Sequence, residues 1–352
     1  MATMVTEVYG GVDTHGKTHH AAALDSVGRL LGDREFPATR TGYLQLITWL
    51  SAFGAIARVG VEGTGSYGAG LATALREQQI SIVEVDRPDR RARRRQGKSD
   101  PLDAAAAARA TLSGDATGTP KTRAGSVEAI RVLRVARRGA VKARTAAFNQ
   151  LHGLLVSSPH ELREALSALS RTALVHRCAA FRVNEGTPFD PTVATKTALR
   201  AVARRVRVLT DEIQSADRQL QKLVERTAPR TTALLGVGVE IAGQLLITAG
   251  DNPERLRSEA AFAHLCAAAP IPASSGRTDR HRLNRGGDRA ANAALHMAVV
   301  TRLRYHEATR AYMSRRTAEG LSKKDIMRCL KRYLAREVYA AVLADSAAAD
   351  AS

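Results

Sequence analysis

Four carboxylates sit where a fold could gather them: Asp13 in "GGVDTH", Glu62 in "VGVEGTG", and Asp100 and Asp103 in "KSDPLDA". Asp13 and Glu62 each close an otherwise apolar run, where an unpaired buried charge is costly. Asp100 and Asp103 are three residues apart at the head of an alanine-rich helical pattern, so their side chains share a face. Each acid also has an ordinary use. Asp100 before Pro101 is an N-cap followed by a favoured first helical residue, and Asp103 is a first-turn acid stabilised by the helix dipole. As a group the four favour a metal site, because like charges at close range resist joint ionisation and divalent cations resolve that conflict. Hard oxygen donors suit magnesium or manganese. Paired ions in such a cluster can activate an attacking oxygen and stabilise a leaving one at a phosphodiester. A sugar-cleaving carboxylate pair needs no metal, but it leaves the neighbouring arginines unexplained.

Those arginines form the run "RPDRRARRRQGK" immediately before the paired aspartates, with Arg90, Arg91, Arg93, Arg94, Arg95 and Lys98 as candidate phosphate contacts. A solvated basic loop is the ordinary reading of a charge run. Its position beside the acids favours a grip on a phosphate backbone, which supplies sequence-independent affinity. The whole chain is basic, with 53 Lys and Arg against 34 Asp and Glu and a net charge of +19, which points to a polyanionic partner. A membrane surface is the rival. It fares badly, because "MATMVTEVYGG" lacks a charged-then-apolar signal pattern and "ALLGVGVEIAGQLLITAG" is broken by Glu240, Gln244 and glycines. A soluble, cytoplasmic protein without a membrane partner is expected. Cys178, Cys266 and Cys329 are far apart and have no metal-ligand spacing, which argues against a disulfide framework and a zinc site.

The elements that must position these residues begin with three short strand patterns, "EVYGGVDTH", "HHAAALDS" and "LLGDREFPA". A helix follows with Leu44, Ile47 and Leu50 at helical spacing, then the strand "ARVGVEGTG", the helix "YGAGLATALREQQ" and the strand "ISIVEVD". This order predicts a mixed sheet with helices packed on it, and Asp13 and Glu62 at strand ends facing a ligand crevice. From about residue 126 the pattern turns helical. Leu199, Val202, Val206, Leu209, Ile213, Ala216, Leu220 and Leu223 trace a heptad seam, which serves an intramolecular hairpin, a dimerising coiled coil, or both. "HRCAAFRVNEGTPFDPT" reads as a loop. "LLGVGVEIAGQLL" has a glycine-x-glycine turn between apolar helices, a helix-hairpin-helix-like element that offers backbone amides to phosphate. A polar loop after "CAAAPIP" carries Ser274 and Ser275, followed by Arg277, Arg280, Arg282, Arg285 and Arg289, before a helix from about Asp288. A serine beside glycine is an ordinary turn residue. Among arginines it is also a plausible nucleophile toward phosphate.

The segments "GVDTHGKTHHAAALD", "VGVEGTGSYG", "GKSDPLDA", "LLGVGVEIAGQLL" and "AAAPIPASSGRTDRHRLNRGGDRAANAALH" together resemble the DEDD-type insertion-sequence transposases, the bridge-recombinase relatives of pilin-gene invertases. The resemblance runs from about residue 8 to 305. It implies an α/β RuvC-like (ribonuclease-H-like) domain over 1–118, a helical linker and coiled coil over 119–228, and a mainly α-helical transposase domain over 229–305; beyond the resemblance, 306–352 reads as basic C-terminal helices that complete the fold or grip nucleic acid. The resemblance also implies a Mg2+ tetrad (or Mn2+ in its place) of Asp13, Glu62, Asp100 and Asp103, and a serine nucleophile at Ser275, with Ser274 as the neighbouring candidate. Such enzymes cut and rejoin DNA through a phosphoserine link while the carboxylates' magnesium assists. Their partners are donor and target DNA, a structured bridge RNA that supplies pairing specificity, and further copies of the chain, a dimer or tetramer through the coiled coil. Pro101 and Gly16 depart from common family residues, and neither removes a metal ligand. The competing readings are a RuvC-like junction nuclease using metal-bound water and a non-catalytic nucleic-acid-binding protein.

Overall fold

The computed structural model describes residues 7–85, 99–183, 190–252, 255–277 and 281–350. The chain divides into two units, one of Met1–Arg123 with Asn252–Arg255 and one of Ala124–Asp251 with Leu256–Ser352. In the first unit, β1 (Glu7–Thr14), β2 (Thr18–Asp25) and β3 (Leu30–Pro37) form an antiparallel meander. Parallel strands β4 (Ala55–Glu62) and β5 (Ile82–Val85) extend it to a five-stranded sheet of order β3-β2-β1-β4-β5. Helix α1 (Arg40–Ser51) joins β3 to β4, and α2 (Ala69–Glu77) joins β4 to β5. Thr39 caps α1 by accepting from Gly42 N. The buried stripe of α1 is Gly42, Leu46 and Leu50, whereas Leu44 is 45% exposed. Gly42 sets this rotation, since a Cβ there would lie 2.0 Å from the Pro37 carbonyl oxygen.

Val8, Val12, Val59 and Val61 pack with Leu46, Leu50, Leu71 and Leu75 on one sheet face. The other face receives α3 (Asp100–Leu112), which buries Ala104, Ala105, Ala107 and Ala108. The match is one of missing side chains. A Cβ on Gly11 would stand 2.0 Å from Ala108 N and 2.3 Å from Ala104 O, and one on Gly60 would stand 2.0 Å from Thr111 Oγ1. Glycines in the strands and alanines in the helix let α3 approach more closely than larger residues would permit. The unit is a mixed α/β domain, consistent with the ribonuclease-H-like expectation.

The second unit is mostly helical. Its α4 (Ser126–Val156) and α7 (Pro191–Thr227) form a long hairpin, with α5 (His160–Ser167) and α6 (Arg171–Ala179) between them in sequence. His176–Ala179 are helical where the sequence reads as a loop. The heptad residues Leu199, Val202 and Val206 share a buried cluster with Ala147, Leu151 and Leu155 of α4, and Leu220 packs with Val127 and Ile130. Arg137 and Asp217 form an ion pair across the same hairpin. The seam is thus covered within one chain, as the hairpin reading of the heptads requires.

Five further helices, α8 (Pro229–Ala233), α9 (Val239–Ala249), α10 (Glu259–Leu265), α11 (Arg289–Tyr305) and α12 (Glu307–Ala318), precede a long α13 (Lys323–Asp350). Ile326, Leu330, Leu334, Val338 and Val342 of α13 close a core with Leu245, Phe262, Leu295 and Val299. The turn between α8 and α9 lies against α11: Gly236 has φ +83°, its Cβ position is 2.8 Å from the Ala298 carbonyl oxygen, and Arg302 Nε donates to Leu235 O at 2.8 Å. Strands β6 (Pro270–Pro272) and β7 (His281–Leu283) pair antiparallel, forming a short ribbon where the sequence suggests only a polar loop. Among the described residues no helix is long and apolar enough to cross a membrane.

Candidate metal centre and serine ribbon

Asp13 and Glu62 come from neighbouring parallel strands whose register pairs Val12 with Val61. Thr14 Oγ1 donates to Glu62 O at 2.8 Å and ties the two strand ends together. Alternation along β1 puts Asp13 on the same face as Gly11, the face on which α3 lies. Ser99, with extended backbone, occupies the N-cap of α3, and Asp100 and Pro101 begin the helix proper. Asp100 is therefore not the cap that the Asp-Pro pair suggests, and its carboxylate turns toward the strand end. His15 Nε2 lies 3.2 Å from Asp13 Oδ2 and 3.3 Å from Asp100 Oδ1. One ligand atom each from Asp13, His15 and Asp100 falls within 4.8 Å of the others. Glu62 and Asp103 lie outside this three-residue set, although Asp103 is buried close enough to act on Asp13 electrostatically.

The electrostatics fit a cation. Burial pushes the Asp13 carboxyl above its ordinary range; His15 opposes the shift, and the Asp103 and Asp100 charges reinforce it. Asp13 Oδ2 and His15 Nε2 are both buried without a well-formed hydrogen bond, despite their proximity. Orphaned buried polar atoms are expensive, and a divalent cation between them would satisfy both and relieve the carboxylate repulsion. The donor set of two carboxylate oxygens and an imidazole nitrogen is thus suited to a divalent ion. Sequence reasoning missed His15, which stands just past the end of β1, two residues after Asp13.

The remaining expected contacts are spread differently. Arg90, Arg91, Arg93, Arg94, Arg95, Lys98 and Arg280 lie outside the described residues. Ser274 and Ser275 are exposed in the segment that leaves β6, and Gly276 takes a left-handed φ of +58°. Arg277, Arg282 and Arg285 are exposed in and after the ribbon. Its return limb is pinned. Asn284 Nδ2 donates to His264 O at 2.7 Å, and a Cβ on Gly287 would meet that same oxygen at 2.4 Å. Asp288 caps α11 through Ala290 N at 2.7 Å, and its second oxygen accepts from Thr248 Oγ1 at 2.7 Å.

Residues 10–158 match the DEDD model of IS110 elements, described as a transposase. Residues 229–314 match a model described as the transposase IS116/IS110/IS902 family. The first match runs from β1 into α5's approach and the second from α8 into α12, and together they span well over half of the chain. A search of curated proteins returns no match.

Proposed function

Because the chain belongs to the IS110 family of DEDD-type insertion-sequence transposases, we propose that it cuts and rejoins DNA through Ser275, assisted by a magnesium site built from Asp13, Glu62, Asp100 and Asp103. The observation that carries this reading is the convergence of Asp13, His15 and Asp100 at the end of β1. Magnesium, or manganese in its place, would supply Lewis-acid stabilisation of the negative charge that develops at a phosphodiester. Asp13 and Asp100 hold the charge that attracts the cation, and His15 contributes a third donor.

In the proposed exchange the Ser275 hydroxyl loses its proton as Oγ bonds to phosphorus. The bond from phosphorus to the leaving strand breaks, and the departing oxygen takes up a proton. Rejoining reverses these steps on another strand, so the number of phosphoester bonds is conserved and no energy-rich cofactor is needed. Arg277, Arg282 and Arg285 provide positive charge near the serine segment for the attacked phosphate. The net charge of +19 supports a load of donor DNA, target DNA and a structured bridge RNA. A homo-oligomer also belongs to this proposal; it needs a surface other than the α7 seam, which is buried within the chain.

The test is denaturing electrophoresis of the protein with labelled donor-end DNA, its bridge RNA and magnesium. A covalent protein–DNA adduct is expected in the wild type and in Ser274→Ala and absent in Ser275→Ala. Cut DNA without any adduct would instead indicate hydrolysis by a junction nuclease.

A further inference from the structure

Within the second unit a cavity of about 690 Å3 opens between the β6–β7 ribbon and α13. Four cationic side chains line it: Arg282 from β7, and Arg328, Lys331 and Arg332 from α13. The lining includes one carboxylate, Asp325, and it is already engaged, accepting from Ser322 Oγ at 2.6 Å and from Arg328 Nη1 at 2.7 Å. Arg332 reaches Glu259 through Nη2 at 3.1 Å, while its Nη1 is buried without a hydrogen-bond partner. Lys331 is 7% exposed and donates to Asn292 Oδ1 at 2.9 Å. Burial, and after it the Arg328 charge, hold the Lys331 ammonium below its ordinary pKa. An anion in the cavity would offset both effects and satisfy the orphaned guanidinium N–H.

The cavity is larger than a lone anion needs and falls within the range of organic-ligand sites. One part of its wall is apolar: Leu283 is 47% and Tyr333 49% exposed, and Tyr312 sets the Tyr333 ring edge-on at 5.5 Å between centroids. Cations beside an exposed aromatic face match the two parts of a nucleotide, a phosphate and a base. The same ribbon leads directly to the serines, since Ser275 stands three residues after the end of β6.

We propose that this cavity binds one unstacked nucleotide of a nucleic-acid strand, with its phosphate on Arg282, Arg328 and Arg332 and its base against Tyr333 and Leu283. The inference rests on the reading of the chain as an enzyme acting on nucleic acid. It makes α13, outside the matched residues 229–314, part of the strand-binding surface as well as of the core.

Fluorescence anisotropy of the full chain with three short labelled strands tests it: single-stranded DNA, RNA of the same sequence, and the DNA with abasic positions. Tyr333→Ala is expected to weaken the intact strand roughly tenfold, Tyr333→Phe to leave it near wild type, and the abasic strand to be insensitive to both. Arg328→Gln lowers the slope of log affinity against log salt by about 0.7 on all strands. A larger Tyr333→Ala loss on DNA than on RNA assigns the cavity to a DNA strand; the reverse assigns it to the guide. The proposal is overturned if Tyr333→Ala weakens the abasic strand equally, or if Tyr333→Ala and Arg328→Gln match Arg218→Gln, an exposed control on α7. The binding effects without any Ser275 adduct would keep the cavity and sink the recombinase reading. An adduct with unaltered binding in the variants would do the opposite.

Discussion

One added methyl group at Gly11 should disturb both the fold and the site. A Cβ there stands 2.0 Å from Ala108 N, 2.3 Å from Ala104 O and 2.6 Å from Ala108 Cα, against 3.4 Å or more for ordinary contact. All three are backbone atoms of α3, so no side chain can rotate away, and the helix must lift from the sheet by more than about 1 Å. Overpacking a filled core costs about 1–3 kcal/mol, and a clash with helix backbone belongs at the upper end, a fall of roughly 10 °C in melting temperature. The same lift carries Asp100, the first residue of α3, away from His15, which it now approaches to 3.3 Å. A misplacement of about 1 Å in a reacting constellation costs on the order of 100-fold in rate. Gly10→Ala is the matched control on the opposite face, where the new Cβ meets only the Leu50 and Val59 methyls at 3.1–3.3 Å. Thermal melting of both variants, with cleavage rates taken below both transitions, decides the matter. Equal melting shifts, or a folded Gly11→Ala protein that cleaves at the wild-type rate, would refute this reasoning.

Two further outcomes are expected. The Asp13 carboxyl has a raised pKa in the fold, so its favourable contribution is complete below the ordinary value of 3.8 and is lost as pH rises through the higher folded value. In chelator, the wild type should therefore lose melting temperature relative to Asp13→Asn as pH climbs toward neutral, and parallel curves for the two proteins would contradict the burial argument. Ile213→Asp places a carboxylate on a buried position of the α7 seam, so a fall in melting temperature is expected with no change in sedimenting mass. A stable protein that falls to a smaller species would instead make the seam an interface between copies.

The strand-end positions of Asp13 and Glu62 were legible because each closes an apolar run, and the alternation of strand and helix patterns conveyed the sheet. His15 was not, since it merely ends the strand pattern "EVYGGVDTH" and nothing in the pattern shows that its ring, just past β1, turns toward Asp13 and Asp100. The capping use suggested for Asp100 is off by one position: Asp-Pro is a strong capping signal, but Ser99 holds the extended backbone that a cap requires. The rotation of α1 depends on Gly42 touching Pro37, a contact that periodicity does not encode. The ribbon was hidden because three-residue strands, one of them beginning and ending in proline, are too short to alternate. In α13 an apolar stripe at four-residue spacing closes a core, one of the two uses, completing the fold or gripping nucleic acid, that its basic helical pattern leaves open. Heptads specify a helical partner without saying whether it is in the same chain, and here α4 supplies it.

The most direct test asks whether the carboxylates and the serine serve one reaction. Adduct formation on donor-end DNA would be measured in magnesium and in chelator for the wild type, Asp13→Asn and Ser275→Ala, each first shown to be folded by its melting curve. The expected result is an adduct only in the wild type with magnesium present. An adduct that forms equally in chelator, or in Asp13→Asn, would contradict a catalytic role for the cluster at Asp13, His15 and Asp100.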